Sequence, residues 1–120
     1  MNLAITAQGT ELNAAVEPRF GRAPYFLLVD SETDQFTVHD NVRNLNAPQG
    51  AGIQSAQTVA RLGAEALLTG NVGPKAFATL QAAGISVYVG VTGTVAQAVE
   101  AFRAGRLHTA VEANVEGHHA

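Results

Sequence analysis

The sequence predicts a three-layer α/β sandwich around a mixed five-stranded sheet, with its elements in the order β-β-β-α-β-α-β-α. Three observations carry this expectation. The second half alternates short apolar runs with helical patterns, which requires parallel strands joined by right-handed crossovers. The first half holds two strand-like runs separated by the polar stretch Ser31-Glu32-Thr33-Asp34, the signature of an antiparallel hairpin. The chain has 120 residues, of which 47% are hydrophobic and 14% charged, enough for one domain with a substantial core.

Leu3-Ala4-Ile5-Thr6-Ala7 is short and apolar and stops at Gln8-Gly9, so it reads as a buried first strand near the centre of the sheet. A long connection with Pro18, Gly21 and Pro24 follows. Tyr25-Phe26-Leu27-Leu28-Val29 is a second strand, and Phe36-Thr37-Val38-His39 alternates apolar with polar like a half-exposed hairpin partner. Residues 41 to 50 read as a loop. From Ile53 the spacing of Ile53, Ala56, Val59, Ala60 and Leu62 is helical, and Gly63 supplies a stop. A strand over 66–69 and a helix over 74–83 come next, with Ala76, Phe77 and Leu80 on one face and Gly84 as the cap. Ile85-Ser86-Val87-Tyr88-Val89 is the fifth strand. Thr94 can cap a last helix in which Val95, Val99 and Phe102 share a face, ending before Gly105. No period persists beyond residue 106, so we expect one domain over 1–107 and a mobile tail over 108–120.

Composition removes several functional classes. There is no cysteine, so thiolate-held zinc or iron–sulfur centres and cysteine nucleophiles are ruled out. The net charge of −3 disfavours general nucleic-acid binding, which depends on a dense basic surface. No apolar run is long enough to span a bilayer, and the N-terminus lacks a secretion-signal pattern, so a cytoplasmic protein is expected. The four histidines show no HExxH spacing, and no GxSxG turn is present. The first strand also lacks the carboxylate that a two-metal nuclease of this element order would need. The chain is expected to bind rather than catalyse.

The informative motif is Gly70-Asn71-Val72-Gly73-Pro74-Lys75, which carries the only lysine of the chain beside a helix N-terminus. Free N–H groups, the helix dipole and an ammonium converge there, which suits an anion. The spacing is not that of a phosphate loop, and Ala76 stands where a magnesium-binding hydroxyl belongs, which argues against ATP hydrolysis. A tight turn with a solvated lysine would show the same residues. Gln49-Gly50-Ala51-Gly52 and Thr92-Gly93-Thr94 precede the other two helices, and ligands of open α/β sheets gather at that edge. Plain capping would also account for both. Arg19 and Arg22 lie three residues apart in the first connection, where they either serve a polyatomic anion or stay exposed, one paired with Glu17.

Arg19-Phe20-Gly21-Arg22-Ala23-Pro24-Tyr25-Phe26, Gly50-Ala51-Gly52-Ile53 and Thr69-Gly70-Asn71-Val72-Gly73-Pro74-Lys75-Ala76-Phe77 resemble the nitrogenase iron–molybdenum cofactor biosynthesis family. Ala83-Gly84-Ile85-Ser86-Val87-Tyr88-Val89-Gly90, Gly93-Thr94-Val95 and Ala98-Val99-Glu100-Ala101-Phe102 continue the likeness through residue 107. The resemblance implies a ribonuclease-H-like α/β/α fold with sheet order 3-2-1-4-5. Within the family, a small stand-alone chain without cysteine is most similar to the orange-protein branch. That branch holds a molybdenum–copper sulfide cluster (thiomolybdate–copper) without covalent protein ligands. The other branch, carriers of nitrogenase iron–molybdenum cofactor precursors, is the alternative, as is an interaction module docking a partner such as a P-loop ATPase. The resemblance and the turn chemistry together give Arg19, Arg22, Gly70, Asn71, Val72, Gly73, Lys75, Thr92, Gly93 and Thr94 as candidate cluster contacts, with no direct metal ligand. Val72 and Ile53 are candidates for excluding water. A monomer is expected.

Overall fold

The computed structural model describes residues 1–41 and 51–114, so the loop expected over 42–50, with Gln49 and Gly50, and residues 115–120 of the expected tail lie outside the described residues. The strands are β1 (Asn2–Ala7), β2 (Tyr25–Asp30), β3 (Phe36–Asp40), β4 (Ala66–Leu68) and β5 (Ser86–Tyr88). The helices are α1 (Ala51–Arg61), α2 (Pro74–Ala82) and α3 (Val95–Arg103), with a 3-10 turn at Phe20–Arg22. The sheet order is β3-β2-β1-β4-β5, as the family resemblance implied.

β1 is central because nothing in it after Asn2 needs water: all five following residues are buried. It pairs antiparallel with β2, Ala4 opposite Leu28, and parallel with β4, Ala4 opposite Leu67. β5 then adds parallel to β4, with Leu67 opposite Val87. Successive side chains of a strand point to opposite faces, so the sheet builds two cores. On one face Ala4, Phe26, Leu67 and Val87 meet Val59 of α1 and Phe77 and Leu80 of α2. On the other, Leu3, Ile5, Leu27 and Leu68 meet Val95, Ala98 and Val99 of α3. Each fully buried Leu, Val or Phe contributes about 1.5–3 kcal/mol of transfer free energy, and these two apolar layers hold the sandwich together.

Two features go beyond the sequence expectation. The Phe20–Arg22 turn is anchored by Phe20, which is 2% exposed and sits 5.8 Å from the Phe26 ring, centroid to centroid. Residues 109–114 fall in the stretch expected to be a tail, yet they are held to the body. Thr109 bridges Tyr88, the Ala110 N–H donates to the Val87 carbonyl at 2.7 Å, and Ala110 and Ala113 pack on the core. Among the described residues no helix is long and apolar enough to cross a membrane.

Candidate anion-binding site

β1, β4 and β5 run parallel, so the connections after Ala7, Leu68 and Tyr88 leave the sheet at one edge. The first of these folds straight back onto its strand. The Glu17 N–H donates to the Thr6 carbonyl at 2.9 Å, and the buried Thr6 hydroxyl donates to the Glu17 carbonyl at 2.7 Å. That hydroxyl also lies 2.9 Å from the hydroxyl of buried Thr69, which ties the floor of β1 to β4.

Above this floor the first connection and the β4–α2 turn form a seam. Asn71 N–H donates to the Pro18 carbonyl at 2.6 Å, and Phe20 N–H donates to the Asn71 carbonyl at 3.2 Å. Gly70 is required by this approach: a Cβ there would stand 2.7 Å from both the Cα and the carbonyl oxygen of Pro18. The Phe20–Arg22 turn also touches α1, since a Cβ on Gly21 would lie 3.1 Å from the Gly52 nitrogen. Gly52 in turn abuts α2, where its Cβ would lie 3.3 Å from the Ala76 Cβ. Arg19, Arg22, Gly70, Asn71, Gly73 and Lys75 are thereby gathered around the first turns of α1 and α2, on one face of the sheet.

Among the described residues the start of α2 is open. Gly73 occupies the N-cap with φ −81° and ψ 170° and supplies no side-chain cap, and Pro74 follows at the first helical position. The first bond back to the cap is Phe77 N–H to the Gly73 carbonyl at 3.0 Å. The N–H groups of Gly73, Lys75 and Ala76 have no partner among the described residues. Four orphan donors are usual at a helix start, and they carry the positive end of the dipole. Lys75 is exposed beside them and makes no ion pair among the described residues.

The start of α3 is closed. Thr94 Oγ1 accepts from Gln97 N–H at 3.1 Å while Gln97 Oε1 accepts from Thr94 N–H at 2.9 Å, a complete capping box. Val95 N–H donates to the Ala14 carbonyl and Ala96 N–H to the Leu12 carbonyl, at 2.9 and 2.8 Å. The Gly93 carbonyl accepts from Val16 N–H at 2.9 Å. Of the candidates Thr92, Gly93 and Thr94, the last has both polar groups engaged in capping and Gly93 serves the backbone. Thr92 is exposed. α3 packs on the opposite face of the sheet from α2, but the β5–α3 connection that carries this trio touches the β4–α2 turn, where the Gly90 N–H donates to the Gly70 carbonyl at 2.9 Å.

The remaining candidates separate by burial. Val72 is 1% exposed and belongs to the core, and its N–H donates to Asn114 Oδ1 at 2.7 Å. Ile53 is half-buried on the first turn of α1. Arg19 has a side chain 69% exposed, with its Nε 3.7 Å from Glu17 Oε2. That oxygen also accepts the Arg19 N–H at 2.9 Å, so Glu17, itself buried, fixes the backbone of the arginine turn. The guanidinium itself is exposed and stands 3.7 Å from that buried carboxylate, a long contact that leaves its remaining N–H groups able to serve an added anion. Sequence reasoning missed Asn114, because no periodicity marks the segment that carries it. A cavity of about 590 Å³ lies elsewhere, lined by Phe77, Gln81, Ser86 and Thr109 among others, and it holds no cationic side chain. Among the described residues no group of three His, Asp or Glu is placed to hold a metal ion.

Comparison with known proteins fits this architecture. The family described as dinitrogenase iron-molybdenum cofactor matches residues 1–105. The apo orange protein of Desulfovibrio gigas is 46% identical and superposes with a TM-score of 0.93, over 95% of this chain and 96% of that one. A Thermotoga protein reported as a putative NifB protein is 38% identical with a TM-score of 0.82, over 97% and 98% of the two chains. An uncharacterised protein of Methanocaldococcus jannaschii is 31% identical over 97 residues, 79% of this chain and 82% of that one. The chain belongs to the dinitrogenase iron-molybdenum cofactor family.

Proposed function

We propose that this protein binds and carries an anionic metal–sulfur cluster, a molybdenum–copper sulfide cluster, without covalent bonds from protein to metal. The open start of α2 carries this reading. Three N–H groups without a partner among the described residues, the helix dipole and exposed Lys75 lie at one helix start, and the turn of Arg19 and Arg22 pairs with its flank. A sulfide-faced anion needs charge compensation and N–H donors more than it needs ligand atoms. Hydrogen bonds to a charged acceptor are roughly twice as strong as neutral ones, so a few donors suffice to hold it. The chain has no cysteine to compete for copper, and the 46% identity to the orange protein supports the same cargo class. The protein acts as a carrier, not a catalyst, and works as a monomer.

The test is direct. Apo-protein mixed with tetrathiomolybdate and Cu(II) should yield a coloured species that co-elutes with protein on gel filtration and contains Mo, Cu and sulfide. Colour found only in the small-molecule fraction overturns the proposal. A second reading, carriage of iron–molybdenum cofactor precursors, is favoured by the family match and by the relative reported as a putative NifB protein. Metal analysis of protein purified from its native host separates the two, since iron with molybdenum supports the second and copper with molybdenum the first. Capture of a P-loop ATPase by apo-protein, independent of cluster and of Lys75, would instead make docking the main role.

A further inference from the structure

The segment after α3 returns across the outer edge of β5 and ends, among the described residues, on the β4–α2 turn. Thr109 pairs with Tyr88 and Ala110 with Val87, which delivers Asn114 to that turn. Its side-chain amide then makes three contacts there. Oδ1 accepts the Val72 N–H at 2.7 Å, while Nδ2 donates to the Gly70 carbonyl at 3.1 Å and lies 3.3 Å from Asn71 Oδ1. One amide thus serves an N–H and a carbonyl of neighbouring residues, much as an adjacent strand would.

The other flank of the turn is held independently by Pro18 and Phe20, through Asn71. The turn is therefore clamped from both sides, and the clamp takes up the Asn71 and Val72 N–H groups while leaving those of Gly73, Lys75 and Ala76 unpaired among the described residues. We infer that Asn114 is a positioning residue for the anion site: it holds the β4–α2 turn so that the start of α2 presents its donors already aligned. The inference rests on the anion-carrier reading for its functional half, but the clamp itself can be measured without cargo. Preorganisation matters because a donor that must first be ordered gives back part of what it gains on binding.

The experiment follows amide hydrogen exchange in the apo-protein and retention of tetrathiomolybdate, for wild type, Asn114→Ala and Asn114→Asp. Asn114→Ala should speed exchange of the Val72 amide by ~10-fold, the worth of one hydrogen bond, while Leu67 and Leu68 keep their protection. Asn114→Asp keeps the acceptor for the Val72 N–H but loses the donor to the Gly70 carbonyl, so it should restore the protection of Val72 in part. Retention of tetrathiomolybdate should fall by several-fold, roughly 3- to 10-fold, in Asn114→Ala. Unchanged Val72 exchange in Asn114→Ala overturns the clamp, whatever the anion does. Faster exchange with undiminished retention overturns the positioning role. Failure of the wild-type protein to retain the anion, with Val72 exchange behaving as stated, would count against the carrier reading and its positioning role but leave the clamp standing.

Discussion

The starts of α2 and α3 look alike in sequence and differ in what the fold does with them. Each follows a parallel strand, each contains a glycine, and each faces the same edge of the sheet. At α3 all four backbone N–H groups from Thr94 to Gln97 are taken, by the capping box and by the carbonyls of Leu12 and Ala14. At α2 the cap is a glycine, and three N–H groups remain unpaired among the described residues beside Lys75. An orphan donor at a helix start is usually capped at a gain of about 1 kcal/mol, so a helix left uncapped forgoes stability. The difference teaches where to look for a ligand: at the helix start that is left uncapped among the described residues.

The largest expected effect breaks the seam beside the open helix. Gly70→Ala puts a Cβ 2.7 Å from the Pro18 backbone, which cannot swing aside as a side-chain tip would. It should destabilise the protein by about 3 kcal/mol, read as a lowered midpoint in chemical denaturation. Next, Lys75→Ala removes an exposed ammonium and should leave stability within about 0.5 kcal/mol. Thiomolybdate–copper retention should drop by ~10-fold, because a charge-assisted contact is lost. The same affinity should fall as salt rises, since the cations are exposed and screened over about 8–10 Å. Retention indifferent both to salt and to Lys75 would remove the electrostatic basis of the site. The smallest effect belongs to the closed helix. Thr94→Ala should cost about 1 kcal/mol of stability through the lost cap and leave anion retention unchanged. A loss of retention there would mean the two helix starts act together after all.

Much of this contrast was hidden from the sequence, and the reasons are physical. The elements themselves were legible, because apolar runs of strand length and helical spacing do not depend on distant partners. The last helix illustrates it: Thr94 as cap, with Val95 and Val99 buried, was readable from its own residues. The first helix begins at Ala51 rather than Ile53, because its first turn opens on Ala51 and Gly52, two small residues that mark an apolar face weakly even though Ala51 is buried. The Phe20–Arg22 turn left no trace, because three residues are too few for a period. The site was legible as loops and not as atoms. Gly70 and Lys75 announced a turn and a charge, but the pairing of Asn71 with Pro18 spans some fifty positions and depends on sheet order. Val72 could not be assigned to core rather than rim without that pairing. A hydroxyl that caps its own helix, as that of Thr94 does, looks the same in sequence as one that awaits a ligand. Asn114 lay in a stretch with no pattern at all, and its role follows only from the edge of β5 that carries it back.

The most direct measurement closes the open helix. Gly73 sits at the N-cap with an extended backbone that any residue adopts, so Gly73→Asp installs the missing cap and a negative charge at once. Its stability and its retention of tetrathiomolybdate with Cu(II) would be measured together. If the start of α2 is the anion site, stability should hold or rise by about 0.3 kcal/mol while retention falls at least ~10-fold. A Gly73→Asp protein that stays folded and keeps the coloured cluster as tightly as wild type would contradict it.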